Sequence, residues 1–154
     1  MPRPTRDDAH LMLELATWYT ASGVGDAANW VRSNEYVSDF KTFESRHPDG
    51  SEGRLRINTY LGFHETVATL WKNHLISEEL LFDWLWVTGP WDRVKDVAIG
   101  MREKMGVAAL WENFEAMAER QRTLISKPVK KATKPAPTTR NPRARSTSPR
   151  RRTS

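Results

Sequence analysis

Residues 60–86, YLGFHETVATLWKNHLISEELLFDWLW, are the most apolar stretch of the chain and decide its fold. Tyr60, Phe63, Val67, Leu70 and Trp71 recur at intervals of three and four, which sets them along one side of an α-helix. In the second half Leu80, Leu81, Trp84 and Leu85 form one face, while Phe82 and Trp86 lie off it. A helix apolar over most of its circumference is expected inside the protein. Between the two arms, Ser77 can accept hydrogen bonds from the unpaired N–H groups of the next turn, and Glu78 and Glu79 put negative charge at the positive end of the helix dipole. The stretch predicts a helical hairpin around which the other elements pack.

Upstream, Thr5 is suited to cap a first helix that carries Asp7 and Asp8 in its first turn and runs to about Ala21. Leu11, Leu15 and Trp18 share one side, with Met12, Ala16 and Tyr19 on an adjacent one. Gly23 and Gly25 break the pattern, and Asp26 is the expected cap of a long second helix over 27–46. That helix is expected to turn Trp30, Val37, Phe40 and Phe43 inward and Arg32, Glu35, Asp39 and Glu44 outward. The segment 47–53, HPDGSEG, reads as a loop.

Downstream, Thr88-Gly89-Pro90 ends the second hairpin arm, because proline cannot continue a helix but fits a first helical turn. The next helix carries Trp91, Val94, Ala98, Met101 and Met105. Gly100 within it costs about 1 kcal/mol relative to alanine, which points to close approach of a neighbouring helix. Gly106 is expected to close it, and a last helix over 108–124 offers Leu110, Phe114, Met117 and Gln121 on one stripe, with Trp111 and Ala118 beside it.

The length of 154 residues suits one domain with a substantial core. The absence of cysteine excludes disulfides and thiolate metal sites. No run reaches the roughly 20 apolar residues of a membrane-spanning helix, and the amino-terminal stretch MPRPTRDDAHLMLEL does not read as a signal peptide. The expectation is a soluble, cytoplasmic protein. Its net charge of +5 is divided: residues 126–154 hold ten Lys and Arg with no Asp or Glu, leaving residues 1–125 with 14 basic and 19 acidic side chains. The basic character belongs to the tail, SKPVKKATKPAPTTRNPRARSTSPRRRTS, whose one valine and five prolines cannot bury enough surface to offset ordering entropy. The chain is therefore expected to be a helical domain over 5–125 and a disordered tail over 126–154.

The motifs FHETVATLWKNHLISEELL, Trp91, MREKMG with Arg102, and WENFE from Trp111 to Glu115 together resemble an uncharacterised bacterial family of small helical proteins known only as a domain of unknown function. The resemblance spans about residues 60–118, with weaker likeness in the first two helices. Members often carry Gly where His74 stands here, and the basic tail is not part of the pattern. It implies an all-helical fold and no established activity.

Three charged residues of those motifs, Glu65, Arg102 and Glu115, fall on helices expected to pack together. A buried acid–base–acid cluster can polarise a ligand; the simpler reading is an interhelical ion pair of Arg102 with Glu115 or Glu65 that sets how the last helices register on the hairpin. His64 is followed by Glu65, but the fourth position after it is Ala68, not the second histidine of an HExxH zinc site. His64 reads as a core or rim histidine and His74 as a helix-end residue that suits the negative pole of the dipole. Six of the seven tryptophans fall on or beside apolar stripes and read as core. Trp86 is the exception, meeting the first two helices or marking a partner surface. No glycine-rich phosphate loop, nucleophile elbow or calcium loop is present, so nothing local supports catalysis and no cofactor or metal is implied.

The tail carries the strongest functional signal. Lys127, Lys130, Lys131 and Lys134 lie among Pro, Ala and Thr, a pattern similar to the tails of linker-histone-like proteins, and Arg140, Arg143, Arg145, Arg150, Arg151 and Arg152 follow. Such cations bind polyphosphates by releasing counterions, and without aromatic residues they do so with little sequence preference. A solubilising role, or a counterion role toward the acidic body, is the bland alternative. These features predict an all-α bundle of about six helices acting as a non-enzymatic interaction protein. Its body would bind an unidentified protein partner or itself, and its tail DNA or RNA. A small-ligand or enzymatic role for the Glu/Arg/Glu cluster, and contact of the tail with anionic membrane, are the alternatives.

Overall fold

A computed structural model describes residues 3–126. They form a compact all-α bundle of seven helices: α1 (Arg6–Ala21), α2 (Val24–Arg32), α3 (Phe40–Arg46), α4 (Glu52–Lys72), α5 (Glu78–Trp84), α6 (Thr88–Met105) and α7 (Glu112–Ile125). No strand occurs among the described residues, and none of the helices is long and apolar enough to cross a membrane. The tail expectations fall on residues 127–154, outside those described.

Four helices carry their own start signals. Thr5 and Asp8 cap α1 reciprocally, and Asp39, Ser51 and Ser77 accept from the backbone N–H groups of Thr42, Arg54 and Leu80. The first-turn N–H groups of α6 and α7 have no such neighbour, because Val87 and Trp111 occupy the cap positions. Side chains from other helices serve them instead. The buried Gln121 amide on α7 accepts from Val87 N (2.8 Å) and Thr88 N (2.9 Å) through Oε1 and donates to the Leu85 carbonyl (2.9 Å) through Nε2. One side chain thereby joins the end of α5, the start of α6 and the middle of α7.

Around this frame α4 packs on α7 and α2, α6 packs on α7 and α3, and α1 covers α2 and α5. Phe43, Ile57, Leu61, Phe63, Val67, Leu81, Val94, Phe114 and Met117 are sealed from solvent at the centre. At Gly100 of α6 a methyl group would overlap the Phe40 ring of α3, which is the close approach expected from the sequence. Gly106 ends α6 at φ 64°, a conformation suited to glycine.

Several expectations need correction. The single helix over 27–46 is two helices broken at 33–39, because the Ser33 hydroxyl binds back to the Trp30 carbonyl and Asp39 starts a new helix. Tyr36 in that break is buried, and Val37 only partly so. Helix α2 begins at Val24, with Asp26 inside its first turn rather than capping it. Helix α5 is short, and among its residues only Leu81 is fully buried, so its breadth of apolar face is not matched by burial. Met105, which shares helical spacing with the buried Trp91, Val94, Ala98 and Met101, lies exposed at the end of α6. Helix α7 begins at Glu112, since the chain turns through 107–111 and Trp111 takes φ 61°.

Replacing Gln121 with methionine keeps most of the volume and removes the hydrogen bonds that its amide makes to Leu85, Val87 and Thr88. Gln121→Met is expected to lower unfolding free energy by on the order of 3 kcal/mol, because buried backbone groups lose their partners. Chemical denaturation of the two proteins measures this.

Candidate functional site

The three charged residues that the sequence brings forward do not form one cluster. Arg102 Nη1 lies 2.9 Å from Glu115 Oε2, and its Nε donates to the Leu110 carbonyl at 2.9 Å. The guanidinium thus clamps the turn between α6 and α7 to the first turns of α7. Glu65 of α4 is engaged elsewhere. Its Oε2 accepts from Phe114 N at 2.9 Å, and its Oε1 from Asn113 Nδ2 at 2.8 Å and Asn113 N at 3.3 Å. Those are the unpaired donors at the start of α7, where a carboxylate also meets the positive end of the helix dipole. Both oxygens of Glu65 are engaged in a cap, and Arg102 and Glu115 in a brace, an arrangement that fixes α7. In the same turn Arg102 Nη2 and Trp111 Nε1 are buried without a protein partner.

His64 faces the same seam from inside. It is buried, its ring stacks on Phe114 with centroids 4.5 Å apart, and its Nδ1–H donates to the Tyr60 carbonyl at 2.8 Å. Burial pushes its pKa down to about 4, against the smaller opposing effect of the hydrogen bond to Tyr60. It is a neutral core side chain. His74 stands exposed in the turn after α4 with φ 56°, a conformation that glycine adopts more readily. Among the described residues no three of His, Asp and Glu gather as metal ligands.

Trp30 and Trp91 are buried, Trp71, Trp84 and Trp111 are half-buried, and Trp18 and Trp86 are exposed. Trp86 presents 56% of its surface to solvent while its indole edge lies against Gly89. It does not close over the first two helices.

The described residues also contain a cleft that the sequence did not announce. About 1030 Å³ in volume, it lies between the start of α1, the last turn of α4, the turn 73–77 and the start of α5, with Arg120 reaching in from α7. Leu11, Leu70, Trp71 and Leu75 form its apolar surface, and Leu75 is 61% exposed there. Two carboxylates hold its walls together. Asp8 accepts from Thr5 N and Oγ1 and, at 2.6 Å, from Ser77 N, so the cap of α1 also ties down the start of α5. The Thr5 hydroxyl and backbone hold its pKa below the ordinary carboxylate value, against burial. Glu78 takes a forked pair of bonds from Arg120 (2.7 to 3.1 Å) and one from Trp71 Nε1 (3.0 Å), and the Arg120 bonds lower its pKa. The cap at Ser77 and the place of Asp8 in the first turn of α1 were legible in the chain; their contact across 69 positions, and the reach of Arg120, had no local signal.

Two outcomes test this account. Below pH 6.5 the unfolded chain protonates His64 while the folded chain resists until about pH 4, so this group lowers stability as pH falls through that window, by up to about 3 kcal/mol. His64→Phe, which keeps the ring stack, should flatten the urea-denaturation midpoint between pH 6.5 and 4 relative to the parent. Glu65→Ala should cost about 1–2 kcal/mol by leaving the start of α7 uncapped, and Glu65→Gln less, since an amide oxygen still accepts.

No curated protein and no solved structure matches the chain. A family model described as a domain of unknown function (DUF4760) matches residues 6–121, a span that begins with α1 and ends at the junction residue Gln121, and is wider than the resemblance over 60–118. With most of its length matched, and an all-helical fold in keeping with the family resemblance, this chain belongs to the DUF4760 family.

Proposed function

We propose that the protein is a non-enzymatic interaction module of the cytoplasm, whose helical body engages a protein partner or a second copy and whose tail attaches weakly, without sequence preference, to DNA or RNA. The observation that carries this reading is the separation of charge along the chain. Ten cations and no acids lie in residues 126–154, against 14 basic and 19 acidic residues before them. A folded body of net negative charge repels phosphate, so attachment to a polyanion falls to the tail. The body supports the non-enzymatic half: Glu65 and Glu115 are used in capping and bracing α7, and the buried His64 stays neutral. Exposed Leu13 and Trp86 offer apolar area of the kind partner surfaces use.

Binding of the full chain, and of a chain ending at Ile125, to a labelled duplex across a salt series tests the proposal. The full chain should bind with log K falling steeply against log salt, at a slope no greater than about 9 for ten cations. The shortened chain should not bind. Equal binding by both, or by neither, overturns the reading, and binding to vesicles that tracks their anionic lipid content while the duplex is ignored transfers the tail to membrane surfaces.

A further inference from the structure

The cleft beside α1 and α5 has an apolar floor, an acidic rim and a basic, proline-containing segment of the same chain leaving the fold nearby. In the floor Leu75 is exposed, and Leu11, Leu70 and Trp71 are partly buried, packed on the core on one side and lining the cleft on the other. On the rim, Glu78 is matched by Arg120 and Lys72 is drawn to Glu112, while Asp7 and Glu79 make no ion pair among the described residues. Asp8 is bonded only to neutral donors there, and Arg3 is the cation left to oppose the three carboxylates among the described residues of the lining. The unbalanced charge of the cleft is negative.

The described chain ends at Ser126, six residues past Arg120, which places the start of the tail about 9 Å along α7 from a side chain of the cleft. The next eleven residues, KPVKKATKPAP over 127–137, alternate Lys with Pro, Val and Ala and contain no acid. Proline-rich segments with flanking cations suit grooves that offer an aromatic face, because the polyproline conformation is preformed and loses little entropy on docking. Trp71 supplies that face, and Asp7 and Glu79 supply the counter-charge. At about 3.1 Å per residue, eleven residues reach roughly 34 Å, ample to turn back across the cleft.

We propose that the cleft is the docking site of the chain's own proximal tail, residues 127–137, with the prolines against Trp71 and Leu75 and the lysines toward Asp7 and Glu79. Exposed ion pairs of this kind are individually weak. A tether changes the outcome, since a short flexible connection gives an effective concentration on the order of millimolar. The arginines from Arg140 to Arg152 then remain free for polyphosphate, so one tail carries an inward-facing half and an outward-facing half. The inference goes beyond the nucleic-acid reading and stands without it, because docking is measured with no nucleic acid present.

The 154-residue chain has no cysteine, so a spin label can be placed uniquely in it. With Ala136→Cys labelled, the amides of Leu11, Leu75 and Glu79 and the indole N–H of Trp71 should broaden several-fold more than those of Leu13 and Trp86, whereas a label at Ser154→Cys should show no such preference. Adding Pro135→Ser, Pro137→Ser, Lys130→Gln and Lys134→Gln to the Ala136→Cys chain should remove the preference, and these changes lie outside the helical body and leave its packing intact. Uniform broadening, or none, overturns the proposal. So does broadening that appears only when a labelled chain is mixed with an isotope-enriched unlabelled one, which would assign the cleft to the tail of a second copy.

Discussion

The first N–H groups of a helix have no partner within it, and at two starts in this bundle, α6 and α7, they are met by side chains from other helices and not by the residue in the cap position. Gln121 answers the first and Glu65 the second. Each is supplied by a different helix, so the caps work only when α4, α6 and α7 are docked together. Local helix formation and tertiary packing are thereby coupled: α6 and α7 gain their full stability only in the assembled bundle, which favours a single folding transition over helix-by-helix assembly.

The seam between α4 and α7 concentrates this dependence. His64 stacks on Phe114, Glu65 caps α7 beside it, and Arg102 ties the preceding turn to Glu115. His64, Glu65, Arg102 and Glu115, polar side chains of the family-like motifs, therefore each hold α7 or the turn before it. The surface of the protein offers three further features: the open cleft at the α1–α5 end, exposed Trp86, and the charge contrast between body and tail. The first two are shapes made by packing. The third is a property of the chain itself.

Particular residues show where reading the chain succeeds and where it stops. Thr5 and Ser77 lie within a few residues of the groups they cap, so their signal is local, as is that of Gly106, whereas the loop expected over 47–53 already holds the start of α4, which Ser51 caps. Gly100 was legible because a helix interior tolerates glycine only for a reason, here the Phe40 ring. Periodicity hides the break at 33–39, because Trp30 and Val37 lie seven positions apart and Phe40 and Phe43 three, and it cannot register a Ser33 hydroxyl turning back on the chain. Helix α5 was misjudged for a related reason: apolar side chains on every face imply burial only if neighbours exist to cover them, and a seven-residue helix at one end of the bundle has few.

The sequence by itself determined the helical class, the starts of α1 and α5, the buried identities of Phe63, Val67, Phe114 and Met117, and the charge division between body and tail, because all of these follow from residue type and short-range spacing. Only the tertiary structure decided that Glu65 meets the start of α7 instead of Arg102, that Gln121 bridges three helices, and that Asp8, Trp71, Glu78 and Arg120 enclose a cleft. Hydrogen bonds over 30 to 70 positions depend on crossing angles and on which donors remain unpaired after the helices dock, and neither quantity is written in a local pattern.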